Sequence, residues 1–241
     1  MGASAFPNTH WSLVLAARGD HPDSVAALNS LCMNYWYPLY AFARRLGKTK
    51  EDAEDLTQGF FARLHSSQLL AKADQTKGRF RTFLLTCFRH CVENEYKKEQ
   101  ALRRGGGTTS VPIDFAQADE LYLREPADLV DPAKLFSYRW AMTIIERVLS
   151  LLKNEFLADG KQAWFVEIEP FLWDKKALIT QANIAARLGI AEGTVAAAVH
   201  NARSRFRELL RQEVGQTVAT PSSEEIDKEI RDLFHAIRDV S

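Results

Sequence analysis

The sequence predicts an all-α fold: two helical domains joined by a flexible acidic linker, with a further helix at the C-terminal end. Three observations point there. Apolar residues recur at spacings of three and four along most of the chain, and neither a strand series nor an internal repeat is visible. Periodicity fails in the stretch "RRGGGTTSVPIDFAQADELYLREPADLVDP", which is rich in glycine, proline and acid. It fails again in "GQTVATPSSEE". These breaks set a first domain at 1–104, a linker at 105–135, a second domain at 136–214 and an extension at 215–241.

Taken in order, Trp11 to Arg18, Pro22 to Tyr35 and Pro38 to Leu46 read as short helices, the second opening on "HPDS" with proline in its first turn. Gly47 stops the third. Thr49 caps the next helix, and Asp and Glu crowd its first turn, where the helix dipole favours them. A loop at 65–79 leads to a long helix from Phe80 to about Leu102, whose Phe80, Phe83, Leu84, Cys87, Phe88 and Cys91 share one buried face. After the linker, "FSYRWAMTIIERVLSLLKNEF" and "KQAWFVEIEPFLW" are helical, followed by a helix-turn-helix in "IAARLGIAEGTVAAAVHNARSRFRELL". There Ile184, Ala185 and Leu188 face inward, Gly189 allows the left-handed turn, Thr194 caps the second helix, and Val195, Val199, Ala202 and Phe206 form its buried stripe. In the extension Ser222 or Ser223 caps a helix with Ile226, Ile230, Leu233, Phe234 and Ile237 on one stripe.

Composition narrows the function. With 46% hydrophobic and 26% charged residues in 241, the chain has a globular makeup. No apolar run approaches the roughly 18 residues of a membrane helix, so no membrane insertion is expected. The start lacks the pattern of an export signal, and three cysteines do not make a disulfide framework, so a cytoplasmic protein is expected. Net charge is +0 yet unevenly spread: residues 77–104 hold eight Lys/Arg against three Glu, and 105–135 hold six Asp/Glu against two Lys/Arg. Cys87, His90 and Cys91 have no second ligand pair at zinc spacing and read as buried thiols rather than a metal site. No phosphate loop, nucleophile elbow or zinc-protease motif is present, so neither catalysis nor a cofactor is expected.

Two surfaces remain. The second helix of the helix-turn-helix turns Ala196, Ala197, His200, Asn201, Ser204 and Arg207 outward, flanked by Arg203 and Arg205. Such a face can enter a major groove while arginines hold phosphates, although an ordinary helical hairpin has the same turn. The helix from Phe80 turns Arg81, Arg89, Tyr96, Lys97 and Lys98 outward, with Arg79 before it and Arg103 and Arg104 after it. Cations beside rings suit a single-stranded or partly melted nucleic acid; most of the phenylalanines, however, belong to the core stripe.

"DAEDLTQGFFARL" (52–64), "GRFRTFLLTCFRHCVENEYKK" (78–98) and "NIAARLGIAEGTVAAAVHNARSRFRELL" (183–210), in that order, resemble bacterial RNA polymerase sigma factors of the sigma-70 family, in the extracytoplasmic-function group. The resemblance implies a sigma2-like bundle and a sigma4-like helix-turn-helix. It places Asp52, Glu54, Asp55, Leu56, Gln58 and Phe61 on the helix that docks on the beta-prime clamp of core polymerase. The loop 65–79 resembles the segment that pockets a flipped promoter base. Arg81, Phe83, His90 and Asn94 fall where the strand-separating helix meets DNA, with Arg79, Arg89, Lys97 and Lys98 as the basic residues around them. The second domain resembles the reader of the −35 element, its Thr194, Ala196, Ala197, His200, Asn201, Arg203, Ser204, Arg205 and Arg207 at the DNA. By resemblance the partners are core polymerase, through the beta-prime clamp and the beta flap, promoter DNA and an anti-sigma factor, and the acidic linker threads the polymerase interior. Gly59, His90 and Ala196 to Ala198 depart from the family pattern of an acidic residue, an asparagine and a polar, basic run.

The expected function is therefore promoter-specific initiation, melting the −10 element and reading the −35 element, only when bound to core polymerase. The alternative is a stand-alone helix-turn-helix regulator, whose first domain would sense or dimerise. A cysteine enzyme lacks a base partner at any recognisable spacing.

Overall fold

The structure, a computed structural model, describes residues 14, 17, 22–66, 69–74, 78–99, 113–172, 180–218 and 222–239. The expected helix at Trp11 to Arg18 lies largely outside the described residues, as do the basic pair Arg103 and Arg104. Of the expected loop at 65–79, residues 67, 68 and 75–77 lie outside them, and 69–72 form a short helix instead. The described elements are helices: α1 (Pro22–Arg45), α2 (Lys50–Ser66), α3 (Leu69–Lys72), α4 (Phe80–Glu99), α5 (Ala118–Leu123), α6 (Pro132–Ala158), α7 (Gln162–Ile168), a 3-10 turn (Glu169–Phe171), α8 (Gln181–Leu188), α9 (Glu192–Gly215) and α10 (Ser223–Arg238). No strand occurs among them. The chain divides into one unit of 1–142 together with 215–241, and a second of 143–214.

In the first unit α1 runs straight through Pro38, where the sequence suggested two separate helices. Proline inside a helix costs about 3 kcal/mol. Tyr35, Leu39, Tyr40 and Phe42, around that proline, are all buried. At about 1.5–3 kcal/mol for each large apolar side chain, their burial outweighs the lost hydrogen bond. The expected punctuation holds beyond it. Gly47 adopts φ 86°, and the Lys48 N–H bonds back to the Ala43 carbonyl. Thr49 caps α2 by accepting from the Asp52 N–H at 3.1 Å. Aromatic edges tie α1, α2 and α4 together: Tyr35 to Phe80 at 5.7 Å, Phe42 to Phe88 at 6.0 Å and Phe60 to Phe88 at 5.2 Å.

Residues 113–131, part of the segment that composition suggested was a flexible linker, pack into this unit. Their acids find arginines and a tyrosine far away in sequence. Asp119 pairs with Arg44, whose guanidinium lies 4.7 Å from the Tyr122 ring. Glu125 is buried, accepting a hydrogen bond from the Tyr37 hydroxyl at 2.5 Å and pairing with Arg139 of α6. Arg45 donates to the carbonyls of Leu129 and Pro126 at 2.6 and 3.2 Å. Burial disfavours a charged Arg139, but the carboxylate beside it more than offsets this and raises its pKa. Burial and the same carboxylate push the Tyr37 phenol up.

The second unit takes its core from Ile144, Ile145, Val148 and Leu152 of α6, Phe165 and Ile168 of α7, Ile184 of α8, and Val195, Val199, Phe206 and Leu210 of α9. Arg147 pairs with the buried Glu213 at 2.8 Å within it.

Glu125→Ala should destabilise the first unit by about 3–5 kcal/mol, because it leaves the largely buried Arg139 without its carboxylate. Urea unfolding followed by circular dichroism measures this; an unchanged midpoint would show that the 113–131 segment is held by something other than that pair.

Candidate nucleic-acid interface

On α2 the acidic residues face outward. Asp55 is exposed and Asp52, Glu54 and Gln58 are half-exposed, whereas Leu56 is buried and Phe61 has no exposed surface. Phe61 lies 5.5 Å from Phe60 and supports α2 from inside, so of the six residues expected to meet a partner it is the one placed wholly in the core.

α4 inserts Phe80, Leu84, Phe88 and Val92 into the core, leaving Phe83, Cys87 and Cys91 of the expected stripe half-exposed. Arg89, His90 and Asn94 are exposed. The Arg89 guanidinium sits 5.4 Å from the Phe42 ring and lines a groove of about 880 Å³ with Leu46, Lys48, Val92 and Pro132. The side chains of Lys97 and Lys98, like that of Tyr96, fall outside the described residues. At the start of α4 the arginines are engaged. Arg79 Nε lies 2.6 Å from Glu229 of α10, and its Nη1 lies 2.6 Å from Asp232. Arg81 Nε lies 2.9 Å from Glu229, with its guanidinium 4.2 Å from the Trp140 ring.

In the second unit the helix-turn-helix forms as its spacing implies. Gly189 ends α8 in the left-handed region at φ 65°. Val195, Val199, Ala202 and Phe206 are buried, while Ala196, Ala197, His200, Asn201, Arg203 and Arg207 are exposed and Ser204 is half-exposed. Two details differ. Thr194 lies inside α9, which opens at Glu192, and the N–H groups of Thr194 and Val195 bond to the Ala191 carbonyl, so Thr194 is no cap. Arg205, expected on phosphate, makes a two-pronged pair with Glu155 and a further one with Glu208. The hydrogen bonds that Arg205 donates to Glu155 lower the Glu155 pKa and raise that of Arg205. Arg203 Nε caps the Phe171 carbonyl at 2.7 Å. Arg207 is exposed, its Nε donating to the Arg203 carbonyl at 3.2 Å.

Sequence reasoning missed Glu229, Trp140, Glu155 and the real cap of α8, Thr180, whose hydroxyl accepts from the Asn183 N–H. The Thr180 signal was present as a Ser/Thr-type residue before an apolar-periodic run. Glu229 also left one: it lies three residues after Ile226 and four before Leu233, on the apolar face itself.

The first unit thus carries a helix with Arg89, His90 and Asn94 exposed, and the second a helix-turn-helix whose second helix is exposed. Residues 34–102 match the family model described as sigma-70 region 2. No curated protein and no solved structure matches the chain. The matched stretch runs from within α1 through α2, α3 and α4, and is similar to that region of sigma-70 proteins.

Among the described residues no cluster of metal ligands occurs, and no helix is long and apolar enough to cross a membrane. Burial pushes the Cys32 thiol up to about 12 and raises that of Cys87. Iodoacetamide at mildly alkaline pH should therefore modify Cys87 and Cys91 of the folded protein while sparing Cys32 until denaturant is added. Mass spectrometry showing all three labelled alike in the folded state would contradict the burial of Cys32.

Proposed function

We propose that the chain is a sigma factor of the extracytoplasmic-function group: it binds core RNA polymerase, melts the −10 element with its first domain and reads the −35 element with its second. The observation that carries this reading is the pairing within one matched region of an outward acidic face on α2 with the exposed Arg89, His90 and Asn94 of α4. The first suits a protein partner and the second a nucleic acid. In this reading Asp52, Glu54, Asp55 and Gln58 meet the polymerase clamp. Arg79, Arg81, Phe83, Arg89, His90, Asn94, Lys97 and Lys98 engage the melting strand, where a base leaving the stack needs a ring or pocket and its phosphates need cations. Sigma-70 proteins as a family are not enzymes, and the same reading gives this one no catalytic step, an aqueous cytoplasmic setting and, as a regulator, an anti-sigma factor.

On α9 the exposed Ala196 and Ala197 let the backbone approach base edges and offer methyl groups to thymine. His200, Asn201 and Ser204 follow at about one turn and make the polar contacts, with Arg207 and Arg203 on phosphate. Arg205 joins them only by leaving Glu155.

Run-off transcription with purified core polymerase tests the whole reading, and a stand-alone regulator would bind DNA yet leave core polymerase without promoter-specific initiation. Asp55→Arg, a change at an exposed position, should abolish co-purification with core polymerase and leave helical content intact. Core binding that survives it would contradict the assignment of α2.

Asn201→Ala should cost about 1–3 kcal/mol at the upstream element and relax specificity at one base pair. Arg207→Ala should weaken all sequences alike and lower the salt slope by about one unit. Binding titrations over a salt series distinguish the two, and a uniform loss from Asn201→Ala would mean that it reads no base.

A further inference from the structure

We propose that α10 is a built-in mask: its Glu229 and Asp232 occupy a strand-binding surface formed by Arg79 and Arg81, standing where nucleic-acid phosphates would lie. This rests on the reading of those two arginines as DNA-facing.

Arginine binds carboxylate and phosphate with the same fork of donors, so an acidic helix is a chemically direct substitute for a strand. Glu229 is 1% exposed and is held from two sides, its Oε2 by Arg79 at 2.6 Å and its Oε1 by Arg81 at 2.9 Å. One turn on, Asp232 takes the second donor of Arg79 at 2.6 Å. Trp140 lies under the Arg81 guanidinium at 4.2 Å and acts as a positioning residue that fixes where the donors point. The rest of α10 is built to dock. Ser222 caps it, Leu233 is fully buried, and Ile226 packs close to Gly215, where an added Cβ would meet its Cδ1 at 3.3 Å. Lys134 of α6 reaches Asp239 at 3.9 Å.

Docking and strand binding exclude each other for a simple reason. A buried carboxylate costs several kcal/mol to desolvate, and here the two arginines offset that cost. When phosphates take the arginines, Glu229 is left buried without them, so α10 must leave. The short segment 216–221 keeps the displaced helix near its seat, at an effective concentration on the order of millimolar, so a weak or transient strand does not displace it. The partner that opens the mask is therefore a polyanion presented at high local concentration, as a promoter strand is once polymerase holds it.

The test is fluorescence anisotropy of the full chain with a labelled, mixed-sequence single-stranded DNA of about 20 nucleotides over a salt series. Leu233→Ala undocks α10 without changing any charge; Glu229→Gln with Asp232→Asn removes the competing carboxylates. Circular dichroism confirms that each keeps its helices, and the two routes back each other if one does not. Both should bind at least about tenfold more tightly than the parent, and the salt slope should steepen by about 1.4 units as two arginines are freed. Adding Arg79→Gln and Arg81→Gln to either should abolish the gain. A gain in the carboxylate variant alone would be an effect of net charge and would overturn the mask, as would no gain in either. A gain that survives loss of both arginines would overturn it too, by removing them from the DNA surface. Each readout is taken without polymerase, so failed run-off transcription leaves this result standing on its own.

Discussion

A carboxylate with almost no contact with water holds the C-terminal helix in place. Glu229 sits between Arg79 and Arg81 at the entrance of α4, and the docking of α10 depends on that junction. The apolar contacts of Leu233 and Ile226 would let the helix slide or rotate; two arginines on one carboxylate fix its register. Ion pairs of this kind contribute modestly to net stability but make the alternative, a lone buried charge, very unfavourable. That asymmetry turns a packing contact into one that is either fully made or fully broken.

The same asymmetry recurs in the first unit. Glu125 is held by Tyr37 and Arg139, and Asp119 by Arg44, so residues 113–131 fold onto the helices of that unit. Acid that composition assigns to a tether is neutralised by arginines that sequence reading leaves unassigned. In the second unit Glu155 restrains Arg205 and Glu213 restrains Arg147. A protein of zero net charge has arranged much of its acid against its own arginines. Arg89 of the first unit and Arg207 of the second are exposed.

What the sequence made legible was what depends on neighbours within a few residues. Thr49, Gly47, Gly189 and Ser222 punctuate helices through local hydrogen bonds and backbone freedom, and each acts where its spacing placed it. The buried stripe of α9 follows from its periodicity alone. Pro38 misled because a local penalty was set against a burial gain that only the assembled core reveals. Thr194 misled because Ala191, which has no capping side chain, supplies the first carbonyl of α9. The arginine partners were invisible for a different reason: ion pairs between α4 and α10, or between α1 and α5, join positions whose separation carries no periodic signal. For the candidate site, residue types were readable and occupancy was not. Arg79 and Arg81 look like free cations in the sequence and are paired ones in the fold.

Hydrogen–deuterium exchange across α10 and the start of α4, with and without single-stranded DNA, tests this account most directly. Residues 223–238 should lose protection as DNA binds, while the amides at the start of α4 gain it, because the two occupants share Arg79 and Arg81. DNA bound at saturation with α10 as protected as before would contradict the account, since carboxylates and phosphates would then be using different arginines.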